Sequence, residues 1–101
     1  MIIYNVTVQT DHKIAQEWLD WLLEEHIPEI LGTGCFTDYR VVKLLEVDEA
    51  DGPTYAIQYF APSLDKYNVY IDKYATEYRK KSYDKWGNSF VAFHSLMEIV
   101  K

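Results

Sequence analysis

A chain of 101 residues, 49% hydrophobic and 16% aromatic, reads as one domain (1–101), large enough to bury a core without disulfides or metal and too rich in core formers for disorder. Its net charge of −6 makes nucleic acid a poor partner, and its one cysteine, Cys35, excludes an internal disulfide and any all-cysteine metal site. No charged leader precedes an apolar stretch and no apolar run approaches the ~20 residues of a membrane span, so a soluble protein of the reducing cytoplasm is expected, with no membrane partner.

The first segment, Met1 to Gln9, alternates Ile2, Tyr4, Val6 and Val8 with Ile3, Asn5, Thr7 and Gln9. Such period-two patterning predicts a strand with one face on the core and the other in wetter surroundings. Thr10 and Asp11 are both plausible N-caps for a helical segment from Ile14 to Leu31. Within it Lys13, Gln16, Glu17, Asp20 and Glu24 mark a solvent side, opposite Ala15, Trp18, Leu19, Leu22 and His26. Pro28 fits a continuing helix only at a kink or in a fresh first turn, and Gly32 and Gly34 supply freedom to leave it.

Two β-rich stretches follow, Phe36 to Val47 and Thr54 to Ala61, joined by the acidic turn Asp48-Glu49-Ala50-Asp51-Gly52-Pro53. Ser63 is a natural cap for a second helical segment, whose stripe Leu64, Tyr67, Ile71, Tyr74, Tyr78 has helical spacing. Gly87 is expected to close that segment or a short turn after it, and a last strand runs from Ser89 to Val100. The basic cluster Arg79, Lys80 and Lys81 falls late in the helix, where cations complement the helix dipole.

Strand, helix, strand, strand, helix, strand is the split βαβ, or ferredoxin-like, plan. The expected fold is therefore α+β, a four-stranded antiparallel sheet with two helices on one face. Tyr4, Val6, Val8, Tyr55, Ile57, Tyr59, Val91, Phe93 and Met97 are expected beneath the helices. The other face then mixes Asn5, Thr7, Arg40, Gln58 and His94 with Val42, Leu44, Phe60, Phe90 and Leu96. Four strands ~4.8 Å apart and ~20 Å long give a face on the order of 400 Å². Large apolar groups beside polar ones suit sheet-on-sheet stacking in a homodimer, with Val42, Phe60 and Leu96 at the interface.

The segments Ile2-Ile3-Tyr4-Asn5-Val6-Thr7-Val8, Glu17-Trp18-Leu19-Asp20-Trp21, His26-Ile27-Pro28 and Thr33-Gly34-Cys35-Phe36, with Gln58-Tyr59 and Ala92-Phe93, resemble a bacterial family termed domain of unknown function 4286. The resemblance runs nearly end to end and brings a fold expectation without an activity. More remotely the plan is similar to dimeric α/β-barrel proteins, among them antibiotic-biosynthesis monooxygenases and haem-degrading enzymes. That similarity implies paired subunits, each keeping a pocket between sheet and helices. The haem-degrading members use an Asn on the first strand, a Trp on a middle strand and a helix His. Asn5 matches the first, but Trp18, Trp21 and Trp86 all lie off the middle strands, which argues against haem. No cofactor is expected.

His26 is the foremost candidate, read either as a helix-end histidine serving a free carbonyl or as a general base or ligand contact at the pocket mouth. With Trp18 and Tyr59 it marks the expected binding region for a small, partly apolar molecule. Asn5, Arg40 and His94, with Gln58, are expected to converge on the second sheet face, holding an anionic or carbonyl-bearing molecule or pairing across a dimer. Asp38, two residues from Arg40, is placed to pair with it. His12, His26 and His94 lack ligand spacing, so no metal site is expected, and no residue is identified as catalytic. Cys35 reads as a small buried residue. Two alternatives stand beside ligand binding. One is a cofactor-independent oxygenase or isomerase of an aromatic substrate. The other is a protein-interaction module using the open sheet face or the strand-two edge.

Overall fold

The computed structural model describes residues 1–101. Strands β1 (Ile2–Thr10), β2 (Asp38–Lys43), β3 (Thr54–Ala61) and β4 (Phe90–Glu98) form one antiparallel sheet in the order β2-β3-β1-β4. Four helical pieces accompany them: α1 (Ala15–Trp21), continued by a π-helical turn (Leu22–His26) into α2 (Ile27–Leu31), then α3 (Leu64–Lys73) and α4 (Ala75–Trp86). This is the expected ferredoxin-like plan.

Pro28 explains the π turn. Its ring has no N–H and crowds the carbonyl one turn back, so a regular helix cannot run through it. The chain widens instead, the Ile27 N–H donating to the Leu22 carbonyl, and Pro28 falls in the first turn of α2. His26 is consequently inside a continuing helical run rather than at a helix end, and its ring makes no hydrogen bond to a stranded carbonyl. Neither Thr10 nor Asp11 caps α1 with its side chain. Thr10 completes β1, and a turn leads from Asp11 to Ile14 before the helix begins. Ser63 caps α3 as expected, its Oγ accepting from the Lys66 N–H at 3.3 Å. The tyrosine-rich helix re-aims at Tyr74, dividing α3 from α4 while the Tyr70 and Tyr78 rings stay parallel, 6.5 Å apart.

Directly paired residues share a sheet face. Tyr4 pairs with Tyr59 on β3 and with Leu96 on β4; Val6 pairs with Ile57 and His94; Val8 pairs with Tyr55 and Ala92. These are the helix-side residues. The assignment of β1 and β3 stands, but β4 is the reverse of the expected one. His94, Leu96 and Phe90 lie on the helix side, whereas Val91, Phe93 and Met97 lie on the open face beside Gln9, Thr7 and Ile3. Leu96 is therefore excluded from the open-face interface set. The physical cause is that β4 is an edge strand carrying apolar residues at both parities, so hydrophobic alternation does not specify its register.

The core fills the space between sheet and helices: Tyr4, Val8, Trp18, Leu22, Ile27, Ile30, Phe36, Ile57, Tyr59 and Tyr70 are all buried. Phe36 precedes β2 and packs against Tyr4, Tyr59 and Tyr70 at 6.1, 5.3 and 5.0 Å between ring centres. Beyond β2, Leu45 and Val47 are exposed loop residues, so this strand is shorter than the apolar run suggests. No helix is long and apolar enough to cross a membrane.

Candidate functional site

Inward side chains of β1, β3 and β4 form one wall of a pocket, and α1, the π turn and α4 form the other. Its volume is about 100 Å³, and fourteen of its eighteen lining residues are hydrophobic. Trp18, His26, Tyr59 and His94, four of the residues singled out from sequence, line it together. Trp18 and Tyr59 are buried, Trp18 packing its ring on Tyr55 with centres 5.6 Å apart. Asn5 and Arg40 do not join them. They lie on the open face, where Arg40 pairs with Gln58 and Gln58 with Asn5 across neighbouring strands.

His26 forms the wall between this pocket and an outer polar cleft of about 360 Å³ edged by Glu25, Glu29, Lys81, Asp84 and Lys85. Its imidazole stacks on Trp21 with centres 4.4 Å apart and meets the Tyr78 ring edge-on at 6.2 Å. Burial against these rings disfavours the charged form and pushes its pKa down to about 4, with the Glu29 carboxylate pulling the other way and Lys81 reinforcing the drop. At neutral pH His26 is an uncharged aromatic wall.

At the sheet end of the pocket three polar groups form a chain. The Arg79 guanidinium donates to the Tyr4 hydroxyl oxygen at 3.1 Å, and that oxygen is 2.7 Å from His94 Nδ1. The hydroxyl carries one proton. With Arg79 already a donor to its oxygen, full satisfaction requires that proton to point at Nδ1, which makes His94 the neutral tautomer with its hydrogen on Nε2. Burial lowers the His94 pKa, and the Arg79 charge lowers it further. Burial raises that of Tyr4, against the hydrogen bond and charge of Arg79. The whole chain is thus held as arginine cation, neutral tyrosine and neutral histidine.

Sequence reasoning passed over Tyr4 as core and Arg79 as part of a basic cluster. Lys80 pairs with Asp84 at 2.6 Å and Lys81 with Glu29 at 2.9 Å, but Arg79 joins no ion pair and turns to the pocket. A signal was present: Ala75, Arg79, Ser82 and Trp86 follow each other at helical spacing, which puts Arg79 on the same stripe as the buried Ala75.

Across the open face, Arg40 grips the Gln58 side-chain oxygen through Nε and Nη2 at 3.2 and 2.7 Å and lies over the Phe60 ring. Asp38 does not pair with Arg40; its carboxylate accepts from the Tyr39 N–H. Asn5 donates to Thr7 Oγ1 at 3.0 Å. A polar row of Arg40, Gln58, Asn5 and Ser95 crosses the sheet, flanked by Phe60, Ile3 and Met97 on one side and by Val42, Ala56 and Phe93 on the other. Phe93 is the most exposed of these large apolar groups, at 66%. No three His, Cys, Asp or Glu side chains come together as a metal-ligating group.

A βαββαβ chain with an open, half-apolar sheet face and a pocket between sheet and helices defines an α+β protein of the ferredoxin-like fold. The chain belongs to the family described as domain of unknown function DUF4286, which matches residues 1–100. Solved structures show the same fold at low sequence identity. A dimeric ferredoxin-like protein from an uncultured marine organism is 8% identical with a TM-score of 0.75, over 99% of this chain and 95% of that one. An antibiotic biosynthesis monooxygenase is 14% identical with a TM-score of 0.68 over the full length of both chains. SnoaB, a cofactor-independent oxygenase from Streptomyces nogalater, is 11% identical with a TM-score of 0.66, over 99% and 94%. No curated protein matches the chain in sequence.

Proposed function

We propose that this single-domain protein is a cytoplasmic homodimer, stacked through its open sheet faces, that binds a small, partly apolar molecule in the pocket between sheet and helices. The observation that carries the ligand reading is the convergence of Trp18, His26, Tyr59 and His94 on one predominantly apolar cavity. Apolar walls with a few convergent polar groups are the usual composition of small-molecule sites. The volume limits what can enter: about 100 Å³ is less than the ~150 Å³ of an engineered cavity that takes up benzene. A ligand as large as a substituted ring leaves its polar end at the mouth or displaces a wall residue such as the half-exposed Tyr83.

The dimer reading is supported by the exposed Val42, Val91 and Phe93 on the open face, by the dimeric descriptions of two solved structures of this fold, and by the polar row of Asn5, Arg40, Gln58 and Ser95. Burial of that row between two sheets needs its groups paired, and a two-fold partner offers donors and acceptors of the same kind. Light scattering from low to high micromolar protein tests it. A mass of two chains that persists on dilution is expected; a clean monomer overturns the homodimer and leaves the Val42, Phe60 and Phe93 face for a different protein. For the pocket, thermal shift and tryptophan fluorescence with small aromatic acids and quinones provide the test, and no response from any of them counts against ligand binding.

An oxygenase-like activity on an aromatic substrate is the second reading. Its support is the likeness of fold to an antibiotic biosynthesis monooxygenase and a cofactor-independent oxygenase. It predicts oxygen consumption with an added hydroxyaromatic substrate and no added cofactor.

A further inference from the structure

Resting on the ligand-binding reading, we infer that the pocket takes a monoanion with an apolar body, its carboxylate or enolate-type oxygen held by Arg79 and His94 at the Tyr4 end. The argument is a count of hydrogen-bond roles. Tyr4 spends its one proton on His94 Nδ1, and the hydroxyl oxygen accepts from Arg79. Ser82 donates to the Tyr78 carbonyl at 3.3 Å, and the other hydroxyls of the lining, on Tyr59, Tyr70, Tyr78 and Tyr83, can both donate and accept and so set no preference for charge. What Arg79 and His94 still offer at this end is donor capacity alone: the Nε2–H of His94 and the other N–H groups of a guanidinium that makes a single hydrogen bond.

Charge points the same way. No Asp or Glu lines the pocket, and Arg79 is its only formal cation. In a chain of net charge −6, with 16 acidic residues, an arginine on a pocket wall without a carboxylate within ion-pair distance leaves its charge for something not part of the chain. The Tyr4 hydroxyl bond fixes one edge of the planar guanidinium, and a guanidinium presents its remaining donors in a fork that suits a carboxylate. The Tyr4 ring, stacked 5.7 Å from the His94 ring, keeps the imidazole beside that fork. At the other end Leu22, Ile30 and Ile57 supply apolar surface, and Trp18 adds a large ring whose one polar atom is an N–H donor. A neutral hydrocarbon would leave the donors idle, and a cation would face Arg79.

The test uses the full chain, isotope-labelled for NMR, and two matched sets of compounds: benzoate with benzamide, and 3-methylbutanoate with 3-methylbutanamide. Each anion and its neutral amide have nearly the same shape, so their difference isolates charge. At pH 7.5 both anions are expected to shift the His94 and Tyr4 resonances and to bind at least tenfold more tightly than their amides. Arg79→Gln should abolish that preference, bringing the affinities of anion and amide within twofold of each other, and Arg79→Lys should retain part of it. Equal affinity of anion and amide, or an anion preference that survives in Arg79→Gln, overturns the anion assignment and leaves the pocket standing. Saturable shifts confined to residues outside the pocket, or none with any of the four compounds, overturn the ligand-binding reading as well. Arg79 is an exposed residue of α4, so the variants are expected to fold, which the amide spectra check directly.

Discussion

Acidification should destabilise this protein well above the pH at which its carboxylates titrate, and His26 is the reason. Its pKa is pushed down to about 4 by burial, while in the unfolded chain it returns to 6.5. Between those values the unfolded state binds the extra proton, so stability is present in full above about pH 6.5 and is lost as pH falls toward 4. The whole gap corresponds to about 3 kcal/mol, at about 1.4 kcal/mol per pH unit. By pH 5 native His26 is still about 90% neutral whereas the unfolded residue is nearly all charged, and about 2 kcal/mol is already gone. On a chain of this size that lowers the melting temperature by roughly 10 °C. His94, also lowered by burial and by Arg79, adds in the same direction. The variant His26→Phe keeps a ring against Trp21 and removes the proton site. Urea unfolding of both proteins, followed by circular dichroism from pH 7.5 to pH 5, should show the wild type losing about 2 kcal/mol more than the variant. Parallel stability curves refute the reasoning, as does an NMR titration that places the native His26 midpoint near 6.5.

Tyr4→Phe removes the hydroxyl that links Arg79 to His94 inside the pocket, and a loss of about 1–2 kcal/mol should appear as a lower urea midpoint with an unchanged m-value. Gly52 has φ +148° and a Cβ there would stand 1.7 Å from the Thr10 carbonyl oxygen, so Gly52→Ala should cost more than about 2 kcal/mol. Gly34→Ala, at φ +77° with open space around it, should cost only about 1 kcal/mol; equal losses in the two variants would contradict the steric account. Phe93→Glu places a carboxylate on the open face at a position 66% exposed in one subunit. Light scattering should then report a monomer whose melting profile remains cooperative.

Much of the fold was legible because local signals agreed with one another. The alternation of β1 and β3 assigned their faces, Ser63 announced α3, Pro28 marked a discontinuity, and Gly87 at φ +60° closes α4. The failures have particular causes. On β4, Val91, Phe93 and Met97 are as apolar as Phe90, Ala92 and Leu96, and only pairing with β1 decides which set faces the helices. That one ambiguity moved His94 to the wrong face and Leu96 into the wrong interface. The site was half legible for a related reason: Trp18, His26 and Tyr59 are large groups on faces the pattern identifies as inward, whereas the Tyr4–Arg79 contact spans 75 positions and comes from a residue type that normally points to water.

The corrected register changes what each face can do. With His94 beside Tyr4, the helix side gains its polar end, and the pocket becomes apolar at Trp18 and donor-rich at Arg79. With Phe93, Val91 and Met97 turned outward, the open face holds more exposed apolar surface than the sequence pattern implied, placed around Asn5, Arg40 and Gln58. The two sets of polar candidates are therefore separated by the thickness of the sheet and cannot act on one molecule within a subunit. Arg40 is committed to Gln58 and Phe60, in a geometry suited to ordering an interface. Arg79 has most of its donors free and a cavity in front of it. A change at Arg40 should accordingly alter association and leave ligand selectivity alone, and a change at Arg79 should do the opposite; a variant of either that moved both would mean that stacking of the sheets reshapes the pocket through β1.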